Sequence, residues 1–155
     1  TQRLGRTLGS TRLYASGTHN GVDFRATQGT AVKAMLGGVV EGAGNTDEQR
    51  GCGSYGRWIL IKHANGLSSV YAHLSASVVT QGQIVEVGQV IGYSGGMPGV
   101  FGSGYSTGPH LHLGLLASQG VQVRQFTQSR GCQRVSVPVA DVHAYLDPLA
   151  YLPSL

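Results

Sequence analysis

The chain has 155 residues, of which 25 are Gly, 11 are basic, 7 are acidic and 6 are His, and its formal net charge is +4. The glycines follow no Gly-X-Y period and 41% of the residues are hydrophobic, which excludes a collagen-like chain and a disordered one. The basic residues are scattered along the sequence, so we expect no nucleic-acid partner. No apolar run approaches the roughly 18 residues that span a membrane, and no span is predicted.

The amino-acid usage predicts a mainly β fold. Val, Ile and Thr supply 31 residues, whereas the helix formers Lys and Met occur only twice each. A chain of this length can bury a single hydrophobic core without needing disulfides or metal ions for stability. We therefore predict a single, small, mainly β domain.

In chain order, the first predicted element is a hairpin. Its strands are residues 30–35 and 39–41, separated by Leu36-Gly37-Gly38, and a polar loop follows over residues 42–54. A second hairpin is predicted from residues 57–63 and 67–73, joined by Ala64-Asn65-Gly66. The Asn-Gly pair favours a type I′ turn, in which both central residues have positive φ.

The second half of the chain is rich in turns. In residues 78–94, short apolar runs are separated by Gly82, Gly88 and Gly92, which is typical of tight turns in a small barrel or sandwich. Residues 95–108 contain too much Gly for a regular element and predict a long loop, which is either a solvated connection or the wall of a groove. An alternating strand is predicted over 110–115, and a short helix near 139–146.

Two pairs of side chains have spacing that suits metal ligands. His19 and Asp23 are four residues apart, and His110 and His112 lie on one face of a predicted strand. Each pair alone is weak evidence, because such spacing also occurs by chance or on a solvent face. Together with His73, at the end of another strand, they favour a zinc site with three protein ligands and an open fourth position. The spacing does not say which histidines are the ligands.

Three motifs resemble the signatures of the M23 peptidases, the LytM and lysostaphin-like zinc endopeptidases that cut peptidoglycan cross-links. They are HNGVDF at 19–24, VYAHLS at 70–75 and STGPHLHLGL at 106–115, while DPLAYL at 147–152 resembles the end of that domain. The resemblance implies one peptidase domain over residues 1–155. Its fold would be a small antiparallel β-sheet or sandwich of the LytM type, with long loops that form a groove. Its core is expected at about 19–116 and its closing segment at 147–152, with an extra segment at about 117–145 that adds a hairpin.

The resemblance also implies roles for the site residues. His19, Asp23 and His112 would bind one Zn²⁺, and His73 and His110 would be the catalytic pair. No HExxH motif supplies a glutamate base, so we expect the two histidines to share proton transfer and stabilisation of the oxyanion.

Other residues have less specific signals. Tyr14, Ser106 and Thr107 are candidates for contact with the oxyanion or the substrate. Cys52 and Cys132 are an even pair in a domain expected to be exported, which favours a disulfide. The two remaining histidines, at 63 and 143, are expected to have structural or surface roles.

The function implied is that of an exported, monomeric zinc endopeptidase acting on peptide cross-links of bacterial peptidoglycan, in the periplasm, the cell envelope or the medium. The cleaved bond, between D-amino acids or within a glycine bridge, stays open. One alternative is a non-catalytic or self-inhibited LytM-like module that binds cell wall or activates an amidase. Another is a biotinyl or lipoyl carrier, suggested by GQIVEVGQVIG at 82–92 and by Lys33, but it leaves the histidines unexplained.

Overall fold

The computed structural model describes residues 19–48, 54–125 and 135–152, and antiparallel strands make up about half of them. The strands are β1 Val22–Arg25, β2 Ala31–Lys33, β3 Gly38–Asn45, β4 Arg57–Lys62, β5 Leu67–Ala72, β6 Leu74–Ser77, β7 Ile84–Val85, β8 Val90–Ser94, β9 His110–Ala117, β10 Val121–Gln125, β11 Ser136–Ala140 and β12 Tyr145–Leu146. Short 3₁₀ turns occupy Thr46–Glu48, Ser118–Gly120, Val142–Ala144 and Pro148–Ala150. Across these ranges, no helix has the length and hydrophobicity that crossing a membrane requires.

The strands form three sheets. The largest has seven strands in the order β1-β9-β5-β4-β3-β7, and β12 pairs with β9. A three-stranded sheet has the order β2-β8-β6, and β10 pairs with β11. All these pairings are antiparallel, so the predicted mainly β fold is confirmed.

The main core lies where the large sheet and the three-stranded sheet meet. Val32 of β2 and Ile91 of β8 are buried together with Ile59, Ile61 and Tyr71 of the large sheet. Removal of these apolar side chains from water drives the two sheets together, because the gain is roughly proportional to the apolar area buried.

The opposite face of the large sheet is also covered. Trp58 and Leu60 of β4 and Val70 of β5 form a second buried cluster, against which Val121 and Ala140 of the β10–β11 pair pack. The indole N–H of Trp58 donates a hydrogen bond of 3.0 Å to the carbonyl of Ser136. The hairpin expected in the extra segment is therefore present, and it shields the face of the sheet that the main core leaves open.

The hairpin predicted around Asn65-Gly66 is confirmed, but its turn differs from the prediction. Strands β4 and β5 are joined by four residues, and the N–H of His63 donates to the carbonyl of Leu67 at 2.8 Å. Gly66 has a φ of 80°, whereas Asn65 does not adopt positive φ. A four-residue loop reverses the chain with a single left-handed residue, so a type I′ turn is not needed.

The hairpin predicted over residues 30–41 is wrong. Strand β2 pairs with β8 in the small sheet, and β3 pairs with β4 and β7 in the large one. A Cβ on Gly38 would lie 2.2 Å from the carbonyl oxygen of Lys62. Gly38 is therefore required by close backbone approach within the large sheet and not by a tight hairpin turn.

Two further local predictions are wrong for the same reason, which is pairing with a distant strand. Gly92 lies inside β8, where a Cβ would approach the carbonyl of Ala76 to 2.5 Å, whereas Gly82 and Gly88 have the positive φ of turns. The helix predicted near 139–146 is replaced by the end of β11, a 3₁₀ turn and β12, which pairs with β9.

We predict that His63 makes folding less favourable as the pH falls. The buried ring has Nδ1 at 2.8 Å from the carbonyl of Gly37 and Nε2 at 2.9 Å from Ser69 Oγ. Burial lowers the pKa of His63, against the opposing effect of the Gly37 carbonyl, so the unfolded chain takes up a proton at a pH where the folded chain does not.

Stability should therefore decline below about pH 6.5 by at most about 1.4 kcal/mol per pH unit. The measurement is denaturant unfolding of wild type and His63→Gln across this range, in which the other histidines contribute equally to both proteins. The variant should lose less stability on acidification, and a difference that does not change with pH would contradict the prediction.

Candidate functional site

The site is assembled by the strand registers of the large sheet. Pairing of β1 with β9 places Asp23 opposite His112, and pairing of β5 with β9 places Ala72 opposite the same histidine. His73 directly follows Ala72, and His19 precedes β1 by three residues. Because side chains alternate along a strand, His110 and His112 share one face of β9, as predicted. Residues far apart in the sequence thus meet at one end of three neighbouring strands.

The carboxylate of Asp23 lies at the centre of this group. Its Oδ1 atom is 2.8 Å from His112 Nδ1 and 3.2 Å from His19 Nε2. The histidine rings are almost fully buried, at 1% exposure for His19 and 2% for His112, whereas the Asp23 side chain is 19% exposed. One potential ligand atom from each of the three residues lies within 4.8 Å of the other two.

This donor set fits a zinc ion. Two imidazole nitrogens and one carboxylate oxygen are a common ligand set for zinc, and a catalytic site keeps its fourth position open. With metal–ligand distances of about 2.0 to 2.1 Å, tetrahedral ligands lie roughly 3.3 Å from one another. The two distances to Asp23 Oδ1, 2.8 and 3.2 Å, are close to that value before any metal is added.

Gly21 is required for the packing of this group. A Cβ at Gly21 would lie 2.4 Å from the carbonyl oxygen of Leu113 and 2.8 Å from both Cε1 and Nε2 of His112. The backbone between His19 and Asp23 therefore passes directly over β9, where no side chain fits. Glycine here leaves the space that the imidazole of His112 occupies when its Nδ1 atom faces Asp23.

Burial and charge have opposite effects on Asp23. Burial by itself raises the pKa of Asp23, but the hydrogen bonds and charges of His112 and His19 outweigh it and hold the pKa well below its usual range. Burial lowers the pKa of His112, and Asp23 opposes this shift. At neutral pH, then, the group offers an ionised carboxylate, and the buried ring of His112 is neutral, as metal ligation requires.

His73 occupies the corner between the two main sheets. It joins β5 of the large sheet to β6 of the small one, and among the described residues it is the one non-glycine residue with a positive φ, 58°. Such a conformation costs on the order of 1 to 3 kcal/mol and is typical of functional positions. The His73 ring is 7% exposed, and its Nδ1–H donates to the carbonyl of Ser103 at 2.8 Å.

His110 faces His73 across the site, with 4.6 Å between the ring centroids. Its Nδ1 donates to the carbonyl of Gly108 at 2.7 Å, while its Nε2 lies 3.9 Å from Asp23 Oδ1. Burial, followed by the charges of His110 and His112, lowers the pKa of His73 to about 3. In each of the two rings, Nδ1 is bonded to a backbone carbonyl and Nε2 is not.

The structure brings together five of the residues named from the sequence: His19, Asp23, His73, His110 and His112. The hydroxyl of Ser106 donates to the carbonyl of Gly96 at 2.6 Å and lies 3.2 Å from His110 Nδ1. It therefore links the start of the 95–108 loop to the ring of His110. Thr107 is exposed next to it. Tyr14, Cys52 and Cys132 lie outside the described residues.

Tyr55, which lies beside His112, was not singled out by the sequence analysis. The ring of Tyr55 lies 5.5 Å from the ring of His112, and its hydroxyl accepts a hydrogen bond of 2.7 Å from the side chain of Asn20. Tyr145 joins this group, and burial raises its pKa against the opposing hydrogen bonds of Asn20 and Tyr55. Asn20 lies within the HNGVD motif, but Tyr55 has no informative spacing to any histidine.

The fold and the site define a metallopeptidase domain, and the comparisons with known proteins agree. Residues 17–125 match Peptidase family M23. The chain is 45% identical over 100 residues to the DD-carboxypeptidase/endopeptidase Mpg of Neisseria meningitidis serogroup B. The aligned region covers 64% of this chain and 20% of that protein. The chain thus spans about a fifth of the length of this curated relative.

Solved structures show the same likeness. The catalytic domain of lysostaphin from Staphylococcus simulans matches with a TM-score of 0.67 and 30% identity, covering 99% of this chain and 90% of that one. A zinc-containing peptidase from Vibrio cholerae matches with a TM-score of 0.55 and 28% identity, covering 76% and 34%. The chain belongs to Peptidase family M23, and its metal is the zinc of that family.

We predict that Gly21→Ala weakens zinc binding by about 10- to 100-fold, because the added methyl group displaces the His112 ring from its position beside Asp23. Gly37→Ala is a matched control, since its added Cβ would make only ordinary contacts, the nearest at 3.4 Å. Competition with a chromogenic chelator measures both affinities. Equal affinities in the two variants would show that Gly21 is not needed for the metal site.

Proposed function

We propose that this domain is a zinc-dependent endopeptidase that hydrolyses peptide cross-links of bacterial peptidoglycan. The observation that carries the proposal is the convergence of two imidazoles on one carboxylate oxygen, with two further imidazoles facing each other beside it. Membership of family M23 supports it, as do the names of two relatives, a DD-carboxypeptidase/endopeptidase and the peptidase lysostaphin.

In this proposal His19, Asp23 and His112 are the zinc ligands. When bound, zinc would polarise the scissile carbonyl and lower the pKa of a water molecule toward about 7. The low pKa of Asp23 keeps its carboxylate charged at neutral pH, and that charge partly balances a divalent cation. Burial of the two rings keeps competing water away from the ligand atoms.

His73 and His110 are the proposed proton carriers. Each donates its Nδ1–H to a backbone carbonyl, so in the neutral ring the lone pair is on Nε2. One Nε2 accepts a proton from the attacking water, the water oxygen bonds to the carbonyl carbon, and the C–N bond breaks as a proton passes to the leaving amine. The other ring acts in its protonated form, in which its Nε2–H donates a hydrogen bond to the carbonyl oxygen as negative charge develops there. The geometry supports joint roles for the two rings.

The loop over residues 95–108 is the proposed wall of the substrate groove. It leads directly into β9, and several of its apolar side chains are exposed to solvent, namely Met97, Val100, Phe101 and Tyr105. Backbone of this kind, rich in glycine, lets an extended peptide approach closely. Tyr14, Ser106 and Thr107 remain candidates for contact with the oxyanion or the substrate. Ser106 Oγ lies 3.2 Å from Nδ1 of His110.

Action on the cell wall requires a location outside the cytoplasm, so we propose an exported protein, and we propose that the domain acts as a monomer. The alternative is a module that binds cell wall without cleaving it.

An assay on purified cross-linked muropeptides beside a pentaglycine peptide, with product masses and a chelator control, distinguishes the endopeptidase from the binding module and identifies the cleaved bond. Chelator-sensitive cleavage is expected, and binding without products would favour the alternative.

We predict that His73→Ala retains zinc and loses peptidase activity, whereas His112→Ala loses both. His73 makes no contact with Asp23 of hydrogen-bond length, while His112 Nδ1 lies 2.8 Å from its carboxylate. Removal of a proton-transfer group typically costs 10²- to 10⁴-fold in rate. Metal analysis and product formation measure the two effects. A His73→Ala protein that folds normally without zinc would assign this ring to the metal.

A disulfide between Cys52 and Cys132 is also proposed, since an exported protein meets oxidising conditions. Closing a loop of this length stabilises by roughly 4 to 5 kcal/mol if the geometry is unstrained. Thiol titration of the unfolded, unreduced chain should find no reactive thiol and, after reduction, two. Two reactive thiols before reduction would eliminate the bridge.

A further inference from the structure

The carbonyl of Ser103 fixes the ring of His73, and its own position therefore matters for the site. Ser103 is buried at 4% exposure and lies between two glycines with positive φ, Gly102 at 94° and Gly104 at 58°. Its carbonyl accepts the Nδ1–H of His73 at 2.8 Å. This bond selects the tautomer with its lone pair on Nε2, which proton acceptance at the site requires.

Asp47 holds the other side of the same peptide group. One carboxylate oxygen, Oδ2, accepts hydrogen bonds from the N–H groups of Gly102 at 2.8 Å and Gly104 at 2.9 Å. The N–H of Gly104 and the C=O of Ser103 belong to one planar trans peptide and point in opposite directions. A carboxylate that fixes the N–H therefore fixes the direction of the carbonyl toward His73. Bonds to a charged acceptor are also stronger than neutral ones.

The position of Asp47 is itself set by local bonds. It lies in the 3₁₀ turn Thr46–Glu48, and its N–H donates to the side chain of Asn45 at 3.0 Å. Thr46 is fully buried and exchanges two hydrogen bonds of 2.9 Å with Gly56, one through its hydroxyl and one through its N–H. The turn is thereby tied to the start of β4.

Arg57 completes the support on the opposite side. Its N–H donates to the carbonyl of Gly102 at 2.7 Å, and its guanidinium donates to the carbonyls of Leu74 and Ser75, which follow His73 in the chain. The 3₁₀ turn and the start of β4 therefore form one segment with two sets of bonds. It bonds the loop whose Ser103 carbonyl orients the His73 ring, and it bonds the backbone that directly follows His73. Asp47 is only half-buried and belongs to neither apolar core cluster.

We propose that Asp47 is a positioning residue for His73, acting through the peptide group between Ser103 and Gly104. The inference rests on the proposed function only where it concerns rate, since the tautomer of His73 is a property of the folded, zinc-loaded chain. Loss of the Asp47 carboxylate frees two N–H groups and lets the Ser103 carbonyl turn away from the ring. The Nε2 atom of His73 then carries the proton in part of the population.

The test compares zinc-loaded wild type with Asp47→Ala, Asp47→Asn and a control, Glu48→Ala. Glu48 is the neighbouring acidic residue, is exposed and donates or accepts no side-chain hydrogen bond among the described residues. Asp47→Ala should lower kcat for muropeptide cleavage by about 10- to 100-fold with little change in KM or zinc content. Asp47→Asn retains an acceptor oxygen and should lose less than about threefold, and Glu48→Ala should match wild type.

The decisive measurement is the ¹⁵N chemical shift of the two His73 ring nitrogens, because a merely structural role for Asp47 would leave it unchanged. The His73 signals are assigned by their absence from the spectrum of His73→Ala. Wild type should show the Nδ1–H tautomer, and Asp47→Ala a mixture with the Nε2–H form. If Asp47→Ala does not fold, Asp47→Ser, which is too short to reach both amides, replaces it.

An unchanged tautomer in the alanine or serine variant would overturn the inference, whatever happens to the rate. A changed tautomer with unchanged kcat would overturn it as well. If wild type cleaves none of the substrates, the proposed function fails, and the tautomer comparison still decides whether Asp47 positions His73.

Discussion

The antiparallel pairing of β1 with β9 is the constraint on which the site depends. It sets Asp23 opposite His112, so that one carboxylate oxygen meets the imidazoles of both His112 and His19. A slip of one residue in this register would turn Asp23 to the other face of the sheet and separate the three ligand atoms. The register is secured by the buried side chains of Val22 and Leu113, which form a cross-strand pair next to Asp23 and His112.

The second requirement is the corner at His73. The chain leaves the large sheet at this residue and enters the small one, and the left-handed backbone that makes the corner also carries the ring into the site. The conformation is unfavourable for a residue with a side chain, so surrounding bonds must hold it. They come from two loops, through the carbonyls of Ser103 and Tyr55, the latter accepting the N–H of His73 at 2.8 Å.

The glycine content of the chain has two separate origins. Some glycines, such as Gly82 and Gly88, supply the positive φ of turns. Others are needed because two backbones come so close that a Cβ would overlap a carbonyl oxygen, as at Gly21, Gly38 and Gly92. The second kind is not visible in the sequence, because the neighbouring backbone that excludes the side chain comes from a distant part of the chain.

The sequence by itself determined the features that depend on neighbouring residues. These include the β-rich class, the β4–β5 hairpin at Asn65-Gly66, and the shared face of His110 and His112, which follows from the two-residue repeat of a strand. Tertiary structure decided which strands pair, including the pairing of β2 with β8 instead of β3. It also decided the contact of the Asp47 carboxylate with the peptide group beside His73. Such contacts join residues separated by tens of positions, and local periodicity contains no information about which distant partner a strand or a carboxylate will meet.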